Sequence, residues 1–454
     1  MRDDDVEIGS MEIGSMEIGG VVAGGVVVIG GGLAGLTAAL AAARQGAEVA
    51  VLEARSSPGG RARSEQRAGF ALNEGPHALY ADGEARSTLH SLGIATPGWV
   101  PDQRGARGLV ECRLALLPID PVSLTRTSLL GVRGKVAAGR LLRALPGLDP
   151  ADLTGQTVEN WLRDAAPGPG VRRLVQAVVR LATYCDAPEH LDAAAAVTQV
   201  QRSLAGSVRY LEGGWQHLVD QLRRAVVDEG GVVRTGTKVA RVRPTLAGSV
   251  AVELADGPSI AAGAVVLAAG GPGHAAALLG SAGATLDEVA ARAVPATVSA
   301  LDVALSEPWG PGPSFVLGID EPLYLSVHSP TGAHAPADRS LVSVAQYHRP
   351  GAVGDPERTR VRLEAMLDLV RPGWRRCVVD ERFLRHAVVA HDVPGARSGG
   401  RAGRPSVHGA SVTGVHLAGD WVGPAGLLAD ATVASAAHAG REAATHATRC
   451  RVAT

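Results

Sequence analysis

In the first third of the chain, short β-branched runs alternate with longer alanine-rich runs. Residues 26–29 read Val-Val-Val-Ile, a run typical of a strand that is buried on both faces in a parallel sheet. A glycine-rich break follows, and residues 36–45 then show the apolar spacing of a helix that Gly46 ends. Residues 48–52 repeat the strand pattern. This order predicts a βαβ unit, which explains the uncharged run 21–43 better than a membrane span does.

Helical spacing dominates the next stretch, where breaks rich in proline and glycine separate the segments. The helices predicted there are 84–92, 132–145, 158–165 and 171–182. Further along, the apolar spacing predicts an amphipathic helix at 215–227, another at 356–370 and a last one from about residue 432. Strand patterns occur at 231–234, 238–242, 249–254, 264–268, 297–305, 323–328, 341–347 and 415–418.

Composition and charge exclude several classes of protein. The 454 residues suffice for about two or three domains, and 46% of them are hydrophobic. A net charge of −1 offers no overall attraction to nucleic acid, so no such partner is expected. The four cysteines are far apart, which predicts neither a metal site nor a disulfide framework and fits a cytoplasmic location. Residues 1–20, with their repeated Met-Glu-Ile-Gly, are predicted to be a disordered leader.

The glycine-rich break after the first strand carries the strongest chemical signal. Gly30, Gly32 and Gly35 have the spacing G-x-G-x-x-G between a strand and a helix, and Glu53 ends the next strand. Gly30 would make the tight turn, Gly32 would let the backbone approach a pyrophosphate, and Gly35 would let the helix pack against the strand. Glu53 would accept a hydrogen bond from an adenosine ribose. The pattern predicts a dinucleotide site; a glycine-rich turn without a nucleotide is the alternative.

Five segments of the chain resemble a known family. They are Glu53-Ala-Arg-Ser-Ser-Pro-Gly-Gly-Arg-Ala-Arg-Ser, Asn73-Glu-Gly-Pro-His, Tyr210-Leu-Glu-Gly-Gly, Lys238-Val-Ala-Arg-Val and Gly414-Val-His-Leu-Ala-Gly-Asp-Trp. Across about residues 26–440 the chain is similar to FAD-dependent amine oxidoreductases, which include amine oxidases, phytoene and ζ-carotene desaturases, hydroxysqualene dehydroxylases and protoporphyrinogen oxidases. The resemblance implies an α/β fold, in which a discontinuous Rossmann-like FAD-binding domain carries an inserted mixed α+β substrate domain.

The resemblance also implies how the two domains alternate along the chain. The FAD-binding domain is expected at 21–99, 206–290 and 386–454. The substrate domain is expected in two parts, a helical part at 100–205 and a part with a sheet and a helix at 291–385.

By the same resemblance, particular residues hold FAD, and none of the cysteines lies where a covalent flavin link would be expected. Arg61 is expected at the diphosphate, Val239 at the adenine, and Asp420 at the diphosphate or the ribityl hydroxyls. Leu428 belongs to a segment whose helix N-terminus faces the N1/O2 edge of the flavin. The complete set is Gly30, Gly32, Gly35, Glu53, Arg55, Gly60, Arg61, Gly75, Pro76, Val239, Gly419, Asp420 and Leu428. A surface arginine and a plain helix N-cap are the alternatives for Arg61 and Asp420.

His77 is the candidate catalytic residue, because the family threads the backbone of residues 75–77 beside the flavin ring. It would act as acid or base, or would only shape the pocket. Other polar candidates, each more typical of a pocket wall or surface, are Tyr324, His328, Tyr347, His348 and His391. With few aromatic residues in the chain, no aromatic cage for an amine is evident.

These features lead to a hypothesis about the reaction. Amine oxidases of the superfamily commonly carry a lysine near flavin N5, yet residues 294–383 contain none. The hypothesis is a desaturase-type oxidoreductase that removes a hydride from a C–H bond of a largely apolar small molecule to flavin N5. An amine oxidase that produces an imine and hydrogen peroxide, or a flavin-free binding protein on the same fold, is the alternative. The electron acceptor, oxygen or a quinone, and the oligomeric state stay open.

Residues 121–148 form a basic segment without an acidic residue. Its cations alternate with leucines and valines and are Arg126, Arg133, Lys135, Arg140 and Arg143. Such a basic amphipathic segment favours a peripheral contact with a membrane from which an apolar substrate enters. A solvated helix face is the alternative.

Overall fold

The computed structural model describes residues 24–453 except 78, 102, 104, 207, 246, 247, 330–333 and 353, so the predicted leader lies outside the described residues. The described chain contains the α-helices α1 Leu33–Ala43, α2 Glu84–Ser91, α3 Pro121–Arg126, α4 Val132–Ala144, α5 Val158–Ala165, α6 Pro169–Thr183, α7 Ala193–Gly206, α8 Trp215–Asp228, α9 Pro272–Leu279, α10 Ala284–Arg292, α11 Pro356–Val370 and α12 Leu428–Ala453.

The strands of the described chain belong to five sheets. In chain order they are β1 Val26–Ile29, β2 Val49–Leu52, β3 Ser64–Arg67, β4 Phe70–Asn73, β5 Leu79–Tyr80, β6 Gly98–Trp99, β7 Arg107–Val110, β8 Arg113–Leu116, β9 Val208–Leu211, β10 Val232–Arg234, β11 Val239–Pro244, β12 Val250–Leu254, β13 Ser259–Ala262, β14 Ala264–Leu267, β15 Ala296–Leu305, β16 Phe315–Gly318, β17 Leu323–Val327, β18 Ser340–His348, β19 Val378–Ala390 and β20 Val415–Leu417.

A parallel sheet of order β10-β2-β1-β14-β20 forms the centre of one domain. The β-branched run of β1 is fully buried, and Val26 pairs with Val49 of β2 on one side and with Ala264 of β14 on the other. Helices α1, α8 and α12 contribute the buried residues that cover this sheet. Because its strands come from three separated stretches, the predicted discontinuous Rossmann-like domain is confirmed.

The second domain contains a seven-stranded sheet of order β19-β15-β18-β17-β16-β7-β8. All neighbours in it are antiparallel except β16 and β7, which pair in parallel. Helices α4, α5, α6 and α7 pack together against one face, and α11 covers the other with Leu363, Met366 and Leu367. The expected mixed α+β domain is therefore present.

Several sequence-based boundaries differ from the structure. The first helix begins at Leu33 rather than at residue 36, and the last helix begins at Leu428 rather than near residue 432. The predicted helical part at 100–205 also holds two strands, β7 and β8, because they pair with β16 from a distant stretch. Strand β19 continues to Ala390, past the predicted boundary at 385.

Arg202 links the two domains through buried charges. Its guanidinium on α7 pairs with the carboxylate of Glu84 on α2 and lies 3.1 Å from the carboxylate of Asp430 on α12. Asp430 also accepts a hydrogen bond of 2.8 Å from the N–H of Ala85. Burial raises the pKa of Asp430 to about 6, although the Ala85 bond and the Arg202 charge oppose that effect. The first turn of α12 is thus held from both domains.

None of the helices in the described part of the chain is long and apolar enough to span a bilayer.

Replacing Gly35 by alanine tests the close contact of α1 with β1. A Cβ at this position would lie 1.7 Å from the carbonyl oxygen of Gly30, so α1 would have to move away from the turn. We expect the free energy of unfolding to fall by about 3 kcal/mol in urea denaturation. Gly139→Ala in α4 is the matched control, because its Cβ would make an ordinary contact of 3.4 Å with Leu124. Equal stabilities of the two variants would contradict this packing.

Candidate active site

A cavity of about 480 Å³ lies at the carboxyl ends of the central parallel strands. Gly30, Glu53 and Ala268 directly follow β1, β2 and β14, and all three line it. In open α/β sheets, ligands bind at this edge. The predicted site residues that line the cavity are Gly30, Gly32, Glu53, Arg55, Gly60, Arg61, Pro76, His77, Gly419, Asp420 and Leu428.

Three of the residues predicted to bind the cofactor do not line the cavity. Gly35 lies inside α1 and supports the turn at Gly30. Gly75 has a φ of +94°, and its carbonyl accepts a hydrogen bond from the His77 ring. Val239 is buried at the start of β11, beside a β-bulge. Its strand begins near the cavity, because the N–H of Thr237 donates to the carbonyl of Glu53 at 2.8 Å.

The turn after β1 is a narrow cradle of bare backbone. Gly30 has a φ of +105°, which favours glycine, and its N–H donates to the carbonyl of Leu52. Gly32 caps α1 without a side-chain hydrogen bond, so no capping side chain stands between the first turn of α1 and an anion. A second glycine turn closes the cradle, since a Cβ on Gly60 would lie 3.4 Å from the Cα of Gly32. This space fits a diphosphate.

Glu53 ties the cradle to the end of β2. One carboxylate oxygen accepts a bond of 2.7 Å from the N–H of Gly31, and the other accepts one of 2.8 Å from the N–H of Arg55. Glu53 is 8% exposed, and it is on the cavity wall. Its remaining lone pairs suit a ribose hydroxyl.

Asp420 is the electrostatic centre of the cavity. Its carboxylate accepts hydrogen bonds of 2.5 Å from Arg61, 3.0 Å from Nδ1 of His391 and 2.6 Å from the His391 backbone N–H. Burial alone would raise the pKa of Asp420, but the Arg61 charge and the His391 bonds outweigh it and hold the pKa well below its usual value. Asp420 is therefore an anion throughout the working range of pH.

Arg61 is the cation on the cavity wall that suits a phosphate. Besides Asp420, it donates a bond of 2.5 Å to the carbonyl of Val389. The guanidinium has more N–H donors than these two bonds use, and 35% of the side chain is exposed. The residues present thus fit the diphosphate of FAD: bare amides on one side and a positioned guanidinium on the other.

Part of the cavity wall carries aromatic and apolar side chains. His77 packs against Trp215 with the ring centroids 5.1 Å apart, and its Nδ1 lies 2.8 Å from the carbonyl oxygen of Gly75. Burial lowers the pKa of His77 below its usual 6.5, although the Gly75 bond opposes this effect. Tyr184 and Leu428 also line the cavity, and both have a φ of +55°. Such strained backbone at non-glycine residues is concentrated at functional sites.

All five tyrosines of the chain lie buried in one cluster beside this part of the wall. The rings of Tyr184 and Tyr347 are 6.1 Å apart, and the hydroxyls of Tyr210 and Tyr324 are 3.1 Å apart. Tyr80 donates to the carbonyl of Ala182, two residues before Tyr184 in the chain. Of these five, Tyr184 lines the cavity, so the described residues of the wall include one tyrosine ring.

Among the charged and aromatic residues of the wall, sequence reasoning missed three. Tyr184 follows α6 in a left-handed conformation for which the sequence has no signal. Trp215 could have been found, because it directly follows the Gly213-Gly214 pair of a shared segment. Glu74 stands inside another shared segment. Among the other polar candidates, His391 lines the cavity, whereas Tyr324, His328, Tyr347 and His348 do not.

Comparisons with known proteins agree with this geometry. The sequence model of the flavin containing amine oxidoreductase family matches residues 33–448. The chain is 27% identical over 278 residues to a hydroxyneurosporene desaturase of Cereibacter sphaeroides, which covers 53% of this chain and 55% of the desaturase. The chain thus spans about half the length of that relative.

Two solved structures share the fold. An oxidoreductase from Methanosarcina mazei has a TM-score of 0.72 and 18% identity, over 90% of this chain and 98% of that chain. Cyclohexylamine oxidase from Brevibacterium oxydans IH-35A has a TM-score of 0.67 and 19% identity, over 94% of this chain and 99% of that chain.

The chain belongs to the flavin-containing amine oxidoreductase family. As a member of this family it is a flavin-dependent oxidoreductase, and the flavin-free alternative is set aside.

Glu53→Gln tests the adenosine side of the cavity. The amide cannot accept from both Gly31 and Arg55, so the cradle loses a charge-assisted bond. We expect the dissociation constant of FAD to rise roughly ten- to a hundredfold in a fluorescence titration of the apoprotein. Glu288→Gln, at an exposed position of α10, is the control and should leave it unchanged. A Glu53 variant that binds FAD as tightly as the control would refute this role.

Proposed function

We propose that the enzyme oxidises a C–H bond of a largely apolar small molecule, in a reaction of the desaturase type, with FAD bound non-covalently. The supporting observation is the apolar part of the cavity wall. It consists of Trp215, Leu428 and the β19 residues 387–389. None of the described residues that line the cavity is a lysine or a cysteine.

The chain's own residues divide the work of binding and positioning. Bound FAD would supply the redox chemistry, as the acceptor of a hydride. Arg61 and the amides of the glycine cradle would hold its diphosphate, and Glu53 would hold its ribose. The N-terminus of α12, at Leu428, would stabilise negative charge on the reduced cofactor. Trp215 and Leu428 exclude water from the substrate carbon.

His77 is proposed to accept a proton from the substrate. Its Nδ1–H donates to the carbonyl of Gly75, so Nε2 of the neutral ring is the acceptor. Because burial lowers the pKa of His77, the ring is neutral at pH 7 and ready to act as a base. A proton leaving one substrate carbon would balance the hydride that leaves its neighbour, which yields a double bond.

An amine substrate is the second candidate, and the tyrosine cluster favours it. Tyr184 brings a ring to the cavity, and the faces of such rings attract a cation. The solved cyclohexylamine oxidase shares the fold, whereas the curated relative at 27% identity is a desaturase.

Anaerobic reduction distinguishes the two candidates. We expect the yellow holoprotein to lose its visible absorbance when it is mixed with an apolar terpenoid polyene and to keep it with cyclohexylamine or putrescine. Bleaching by an amine, with hydrogen peroxide formed on admission of air, would replace the desaturase proposal by the amine oxidase. Bleaching by dithionite alone serves as the control for a competent flavin.

His77→Phe tests the proposed base. The wild-type rate of flavin reduction should rise with pH through a pKa below 6.5 and then level off, because only the neutral imidazole accepts a proton. The variant should lose this dependence, and its rate should fall by about a hundredfold in stopped-flow measurements. His90→Phe, at an exposed position of α2, is the control. An unchanged pH profile in the His77 variant would leave this residue as a pocket wall.

A further inference from the structure

The outer side of α3 and α4 exposes large apolar side chains to solvent. This surface, called here the α3–α4 face, consists of the exposed side chains of residues 121–148. Val132 is 80% exposed, the largest value among the big hydrophobic residues of the described chain, and Val122 is 58% exposed. Val136 and Leu142 are 49% and 40% exposed. Since Val132 and Val136 are four residues apart, they share one side of α4.

The same face carries an excess of positive charge, although the carboxylate of Asp120, directly before α3, interacts with Arg126. Arg126, Arg133, Arg140 and Arg143 are exposed, and residues 121–148 contain no acid. None of these cations forms an ion pair with a carboxylate of the described residues, and Lys135 donates to the carbonyl of Thr125. Arg140 and Arg143 continue along the helix on the side of the exposed valines.

Helix α11 shows what an ordinary solvated face of this protein looks like. Val361 is 66% exposed there, but the neighbouring arginines are neutralised. Arg358 pairs with Asp355, Arg360 with Glu364 and Glu381, and Arg362 with Glu321. The α3–α4 face therefore differs from α11, because it combines exposed valines with cations that form no ion pair to a carboxylate of the described residues.

We propose that the α3–α4 face docks on an anionic lipid bilayer. Lipid headgroups supply the negative charge, and the acyl boundary accepts the valines. A second copy of the chain would bring like charges together across a twofold axis, and nucleic acid has no apolar layer for the valines. The inference does not depend on the proposed reaction.

The docking face is connected to the cavity by one helix. Helix α4 contacts α6 through Gly134, where an added Cβ would lie 3.7 Å from Val171. Tyr184 follows the other end of α6 and lines the cavity. A helix of this length spans about 22 Å, so the lipid surface and the cavity would lie on opposite ends of the same element.

Vesicle sedimentation of the full-length holoprotein tests the proposal. We expect binding to phosphatidylglycerol vesicles, weakening with added salt, and little binding to phosphatidylcholine vesicles. The triple variant Arg133→Gln, Arg140→Gln, Arg143→Gln should bind about a hundredfold more weakly. The double variant Val132→Ser, Val136→Ser should bind about tenfold more weakly, because it removes only the apolar contact.

The matched control is the double variant Arg358→Gln, Val361→Ser in α11, which should bind as the wild type does. All these positions are exposed, and retained flavin absorbance reports that each variant is folded. The proposal is overturned if the wild type binds both vesicle types equally or neither. It is also overturned if the triple variant binds like the control, or if light scattering without lipid shows a dimer that the α4 variants dissociate.

Discussion

A diphosphate has to be bound by backbone N–H groups that no side chain covers, and the arrangement of the loops around the cavity follows from this constraint. The backbone of Gly30 and Gly32 leaves the space open, and the second glycine turn at Gly60 narrows it from the other side. Glu53 holds this turn to β2 through Gly31. Short, fully buried parallel strands serve to bring these loops together at one edge.

The cavity wall combines a buried charge cluster with apolar surface. The Asp420 carboxylate gathers Arg61 and His391, which come from different stretches of the chain. Trp215 packs against His77, and Tyr184 and Leu428 add further apolar surface to the wall. A charged cofactor and an apolar substrate can share one cavity because its wall offers both kinds of surface.

The sequence pattern was enough to predict those features that depend on residues close together in the chain. The βαβ unit, the glycine spacing and Glu53 depend on neighbours in sequence, and Arg61 and Asp420 stand in recognisable segments. The start of α1 was missed because Leu33-Ala-Gly35 looks like a continued break. Tyr184 and the convergence of the tyrosines depend on tertiary packing between distant strands and helices. The role of His391 as partner of Asp420 also needed the fold.

The discontinuous parallel sheet has a consequence for biosynthesis. The glycine cradle and Arg61 emerge from the ribosome before Asp420, which lies 359 residues after Arg61. A nascent chain that has reached β14 therefore offers amides for phosphate but lacks the buried carboxylate that orients Arg61. The cofactor therefore meets its complete site only after the segment with Asp420 has been synthesised.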